Sequence, residues 1–154
     1  MSAIYVIDAC ALIDAAHNYN MEKKAFSHIW HAFDTLVENG TLISSSEIMD
    51  ELRDDDLKTW AKKHKSCFVP LSLEVQEKTR EILQNYPNLI KIQSTANSNA
   101  DPFLIATAVL NNGTVVTNER PGDIRNKDYR IPNVCQALNV PYMDLRSFLN
   151  IILE

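Results

Sequence analysis

The stretch Ala3-Ile4-Tyr5-Val6-Ile7-Asp8 constrains this chain most, because a continuous apolar run stops abruptly on a carboxylate. A strand buried on both faces shows such a run, whereas a half-exposed strand alternates. The stretch therefore predicts a central strand of a parallel sheet. In open α/β sheets the functional crevice lies beyond the carboxyl ends of the strands, so Asp8 falls at its edge. Aspartate also caps helices, and Ala9 to Ala16 reads as one, so Asp8 has an ordinary structural use as well.

The rest of the chain alternates in the same way. Phe26, Ile29, Trp30, Phe33, Leu36 and Val37 recur at helical spacing and stop at Asn39-Gly40. Thr41 to Ser44 predicts a second strand, with Ser45 and Ser46 opening a helix over the acidic run that follows. Another helix from Asp56 turns Leu57, Trp60 and Ala61 inward and carries Lys58, Lys62, Lys63 and Lys65 outward. Cys67 to Leu71 is a brief extended piece. Ser72 caps a helix striped by Val75, Thr79, Ile82 and Leu83, which Tyr86-Pro87-Asn88 ends. Gln93 to Asn99 is polar and predicts a loop.

Asp101 to Leu110 is apolar almost all round, as a buried helix is, and Pro102 suits its first turn. Thr114 to Asn118 predicts a strand with Glu119 just past its end, and an irregular charged loop runs on to Arg130. A short helix from Ile131, a small strand at Val140 to Met143 and a helix capped by Asp144 complete the chain. Strands alternating with helices predict an α/β fold with a doubly wound, mainly parallel central sheet.

At 154 residues the chain suits a single domain, 1–154, with a core that needs no disulfide. Three cysteines far apart argue against a disulfide framework or a Cys-x-x-Cys site. No apolar run is long enough to span a bilayer, and the Met1-Ser2 start lacks a signal peptide's basic n-region, so the expectation is a cytoplasmic protein without a membrane partner. The net charge of -5 excludes a broad basic face, though not a local one. His28 and His31, one turn apart, lack further ligands in a recognised spacing and read as solvated.

Four carboxylates occupy comparable places: Asp8 after the first strand, Glu51 after the second, Asp101 opening a buried helix and Glu119 after a later strand. In a doubly wound sheet such places converge at one edge. Crowded carboxylates stay ionised only when cations neutralise them, and an oxygen-only site suits Mg²⁺ or Mn²⁺. Such ions activate water and steady charge on a phosphodiester, so these residues point to phosphoryl chemistry. Arg120, Arg125, Lys127 and Arg130 follow at once, with Lys62, Lys63 and Lys65 further off, and supply charge for a phosphate backbone.

Over nearly its whole length the chain resembles the PIN-domain nucleases. The matching features are the strand ending in Asp8, Glu51-Leu52, Ala100-Asp101 with Leu104-Ile105-Ala106, and Val115-Val116-Thr117 leading to Glu119. It is most similar to a subgroup of uncharacterised PIN-like proteins near the VapC-type toxins, which share Asp101-Pro102-Phe103-Leu104-Ile105-Ala106, Val116-Thr117-x-Glu119 and Ile131-Pro132-Asn133-Val134-Cys135. The resemblance implies a three-layer α/β/α PIN-like fold and a Mg²⁺- or Mn²⁺-dependent endoribonuclease. It further implies the toxin of a toxin–antitoxin pair, with RNA as substrate, an antitoxin protein as partner and a homodimer as assembly. Asp8, Glu51, Asp101 and Glu119 become the catalytic and metal-binding acids, with Cys10, Thr117 and Asp123 in support. Cys10 stands where the family often has Ser or Thr, and Asp123 rivals Glu119 as the fourth acid.

Other readings fit less well. A phosphatase of the haloacid dehalogenase type needs a second aspartate where Cys10 stands, and a nucleotide-binding fold needs a glycine-rich phosphate turn. Gly40, Gly113 and Gly122 are isolated. The remaining alternative is a catalytically silent PIN-like scaffold that binds RNA or a protein partner. Four carboxylates gathered where phosphate must approach argue against it.

Overall fold

Parallel strands need crossovers, and the chain supplies a helix after nearly every strand. The computed structural model describes residues 3–90 and 100–154; the loop predicted at Gln93 to Asn99 lies outside the described residues. Five strands form one parallel sheet in the order β3-β2-β1-β4-β5: β1 Tyr5–Ile7, β2 Leu42–Ser45, β3 Phe68–Val69, β4 Thr114–Val116 and β5 Tyr142–Met143. The apolar run at the amino end is thus the central strand, with Val6 and Ile7 fully buried.

The helices are α1 Ala9–Asn18, α2 Ser27–Glu38, α3 Asp55–Lys63, α4 Leu73–Asn85, α5 Asp101–Leu110, α6 Ile131–Ala137 and α7 Leu145–Ile152. Trp30 and Phe33 of α2, Trp60 of α3, Phe148 of α7 and Tyr5 of β1 interlock through edge-on and tilted ring contacts at 5.0–6.4 Å between centroids. These rings build one core layer, in the offset geometry that ring quadrupoles favour. The second layer is α5, packed on β1, β2 and β4 and covered by α4 and α6. That position explains why α5 is apolar almost all round. Among the described residues no helix is long and apolar enough to cross a membrane.

One expectation needs correcting. The residues after β2 form a short 3₁₀ helix, Ser46–Glu51, rather than an α-helix. Ser45 caps it as the sequence implies, its side chain accepting the Glu47 amide. The acidic run then divides, because Leu52 returns to extended backbone and Asp54 caps α3 through the Leu57 amide at 2.9 Å. Two caps within ten residues thus divide the run between two elements.

The turn between α5 and β4 positions Asp101. Asn112 adopts a left-handed conformation (φ 50°), and the Gly113 amide donates to Ala108 O. Because this turn is so short, α5 runs back against β4, and its amino end lies at the carboxyl edge of the sheet. A Cβ on Gly113 would meet Val6 Cγ2 at 2.7 Å, inside the central strand's packing. Gly113→Ala should therefore destabilise the fold by about 1–3 kcal/mol, the usual cost of overpacking, measured by denaturant unfolding. An unchanged midpoint would mean that β1 yields freely there.

Candidate active site

The strand order reverses between β1 and β4, the switch point at which open α/β sheets hold their ligands. Ile7 pairs with Val116, and the Asp8 amide donates to Val116 O at 2.9 Å, so Asp8 and Thr117 stand side by side where both strands end.

Asp8 occupies the N-cap position of α1, yet its side chain makes no capping hydrogen bond. Its Oδ2 instead accepts from the Cys10 thiol at 2.8 Å and from the Thr117 hydroxyl at 2.8 Å, and Cys10 Sγ lies 3.4 Å from Thr117 Oγ1. The carboxyl is 4% exposed. Burial pushes its pKa up, against the lowering effect of those two donors and of the Ala9 and Cys10 amides, and among the described residues no cation acts on it. Asp144, at the same position of α7, behaves in the opposite way. It accepts the Ser147 amide at 2.8 Å, is exposed, and has its pKa held down first by that bond. Two aspartates in one local setting thus do different work: Asp144 makes the capping bond, and the Asp8 side chain turns to Cys10 and Thr117.

Glu119 joins Asp8 through Thr117, whose Oγ1 accepts the Glu119 amide at 3.1 Å while donating to Asp8. Glu119 Oε1 accepts the Ile131 amide at 3.3 Å. Cys135 of α6 registers both acids: burial first, then the charges of Asp8 and Glu119, raise its thiol to about 12. Cys67 reaches about 12 through burial alone. Burial, the Asp8 charge and the Asp8 hydrogen bond push Cys10 higher still, so the thiol keeps its proton as a donor.

Asp101 is the first residue of α5 and half-buried; Glu51 is the last of the 3₁₀ helix and also half-buried. Helix α5 packs against both that 3₁₀ helix and β1. Among the described residues, however, no three His, Cys, Asp or Glu side chains stand close enough to hold a metal ion. The described groups therefore do not form a four-carboxylate cage. Asp8 and Glu119 are the two carboxylates that Thr117 links, and their oxygens are of the chemical kind that could hold Mg²⁺ or Mn²⁺, which bind through one or two carboxylates with water and substrate oxygens completing the shell.

Asp123 serves its own loop. Its Oδ1 accepts the Arg125 amide at 3.0 Å and its Oδ2 accepts Asn126 Nδ2 at 2.9 Å. Arg130 pairs with Asp128 at 2.9 Å, while Arg120, Arg125 and Lys127 are exposed. Two asparagines carry roles that sequence reasoning did not give them. Asn118 Nδ2 donates to Asp14 Oδ2 at 2.6 Å and its Oδ1 accepts the Leu145 amide at 2.9 Å, tying α1 to α7 beside the site. Asn133 Oδ1 accepts the amides of Gly122 (2.7 Å) and Arg130 (3.0 Å), closing the loop on α6. Its place three residues after Arg130, behind Pro132, is the one sequence signal of a cap there. Gly122 is required, since a Cβ would lie 2.0 Å from Asp128 O.

The five-stranded parallel sheet flanked by helices matches a PIN-like fold. Two solved structures are similar. One is VapBC2 from Rickettsia felis bound to a DNA fragment from their promoter, at TM-score 0.52 and 17% identity over 92% of this chain and 98% of that one. The other is PAE2754 from Pyrobaculum aerophilum, at TM-score 0.52 and 15% identity over 99% of this chain and 98% of that one. No curated protein matches in sequence. The chain belongs to the family described as "Domain of unknown function (DUF4411)", which it matches over residues 5–151.

The raised Asp8 pKa sets a direction for stability. A folded-state value above the unfolded one means that the native protein holds the proton more tightly, so stability is greatest below the ordinary carboxylate pKa and falls as pH rises through the folded value. In chelator at neutral pH, Asp8→Asn should melt higher than wild type, and the gap should close in acid. A variant that melts lower at neutral pH would show that the ionised carboxylate stabilises the fold.

Proposed function

We propose that the chain is a divalent-cation-dependent nuclease that hydrolyses RNA internally, and that it is the toxin of a toxin–antitoxin pair. The observation that carries this reading is the handling of Asp8: a carboxylate at the sheet's switch point, buried at a cost, making no side-chain capping bond and, among the described residues, met by no cationic side chain. A group held that way suits a cation that arrives from solution. Asp8 and Glu119 hold it in this reading, with Asp101 and Glu51 as the further acids. When bound, Mg²⁺ or Mn²⁺ supplies charge neutralisation for the phosphodiester and acidity for an attacking water.

The chain's own residues do the rest. Thr117 and Cys10 fix the Asp8 carboxylate, and the Ile131 amide fixes that of Glu119. Exposed Arg120, Arg125 and Lys127 meet the phosphate backbone, while Arg130, engaged by Asp128, shapes the loop that presents them. The likeness to VapBC2, a pair solved on promoter DNA, supports an antitoxin as partner.

Purified protein should cleave members of an RNA panel in Mg²⁺ or Mn²⁺ and stop in chelator, while Asp8→Asn and Asp101→Asn should lose activity by orders of magnitude and stay folded. Cleavage that persists in chelator or in folded Asp8→Asn protein would overturn the mechanism. Wild-type protein that binds RNA without cutting it would favour the silent scaffold instead. Replacing Arg120, Arg125 and Lys127 by Ala should flatten the salt dependence of single-stranded RNA binding by about 0.7 in log–log slope per lost contact. An unchanged slope would leave the loop a structural role.

A further inference from the structure

Three side chains at the switch point close a triangle around a single oxygen. Oδ2 of Asp8 accepts both the Thr117 hydroxyl and the Cys10 thiol, each at 2.8 Å. The Thr117 oxygen accepts the Glu119 amide at 3.1 Å while its hydrogen points at Asp8. The Cys10 sulfur completes the figure 3.4 Å from Thr117 Oγ1. A carboxylate oxygen has two lone-pair directions, and two donors occupy both. Oδ2 is thereby spent.

We infer that Thr117 and Cys10 determine which divalent cation the site accepts, by leaving Asp8 one oxygen to offer. This rests on the reading of Asp8 and Glu119 as cation ligands. Mg²⁺ and Mn²⁺ suit single carboxylate oxygens with water filling an octahedral shell. Ca²⁺ is larger, takes six to eight oxygens and often grips a carboxylate through both. A carboxylate with one oxygen withheld therefore favours the smaller ions. Thr117 and Cys10 are positioning residues here, since they act through Asp8.

Direct titration of the full chain with Mn²⁺, read by the magnetic resonance signal of the free ion, and displacement by Ca²⁺ give the two affinities without any need for activity. Wild type should bind Mn²⁺ more tightly than Ca²⁺, and Asp8→Asn should bind neither well. Thr117→Val keeps the branched shape but removes the hydroxyl, and should narrow the Mn²⁺-to-Ca²⁺ ratio by about tenfold, the scale on which groups behind a ligand act. Cys10→Ala should narrow it too, and Cys10→Ser, which restores a donor, should return it toward wild type. A purely structural role would weaken both ions alike and leave the ratio unmoved. If Thr117→Val does not fold, the Cys10 pair decides. Tight Mn²⁺ binding with an unchanged ratio in Thr117→Val and Cys10→Ala would overturn this inference and leave the metal site standing. Wild type that binds neither ion, or binds both regardless of Asp8, would overturn the inference and the metal site together.

Discussion

The pairing of β1 with β4 is the constraint on which the rest of the site depends. Once Ile7 lies opposite Val116, the residues that follow must share one crevice, although Asp8 and Thr117 are 109 positions apart in the chain. Every other strand is added outward from that pair, β2 and β3 on one side and β5 on the other. Helices leave the edge in opposite senses there, which opens the space between them. The acid and its hydroxyl partner meet because the sheet reverses where they stand. No loop has to bring them together.

Much of this was legible in the sequence, for physical reasons that differ by element. Strand β1 announced itself because burial on both faces demands an unbroken apolar run, and α5 because a helix without a polar face must be covered. Pro102 marked its first turn. The segment after β2 was harder, since Ser45 and Asp54 each cap a helix and the sequence does not say how far the first extends before the second begins. The neighbourhood of Asp8 and Glu119 followed from their places after adjacent strands. The parts played by Asn118 and Asn133 did not, because an asparagine amide can serve almost any loop and their partners, Asp14 and Gly122, are fixed only by the fold. Asp123 was a fair rival to Glu119 on spacing alone. Its two oxygens turn out to be engaged by the turn that it begins.

Cysteine in place of a hydroxyl at position 10 costs little in this setting. A thiol is a weak donor in water, but here it points at a buried carboxylate 2.8 Å away, and burial together with that charge keeps its proton in place. The pair divides the labour, with the Thr117 hydroxyl the stronger kind of donor and the Cys10 thiol the weaker. The protein thus holds its central acid with two donors of unequal strength from two different elements, and the site does not hang on either alone.

The bond between Glu119 Oε1 and the Ile131 amide bears on how such proteins diversify. It fastens the base of the loop from Arg120 to Arg130, so the segment between is a closed excursion whose length is decoupled from the sheet. Closing a longer excursion is inexpensive, since each doubling adds only about 0.6 kcal/mol of entropy. Where the Gly122 and Asn133 contacts are kept, the tip of that segment can be lengthened, shortened or recharged while the acids stay where they are. Change in the segment's charge and constancy of the acids fall on opposite sides of that bond.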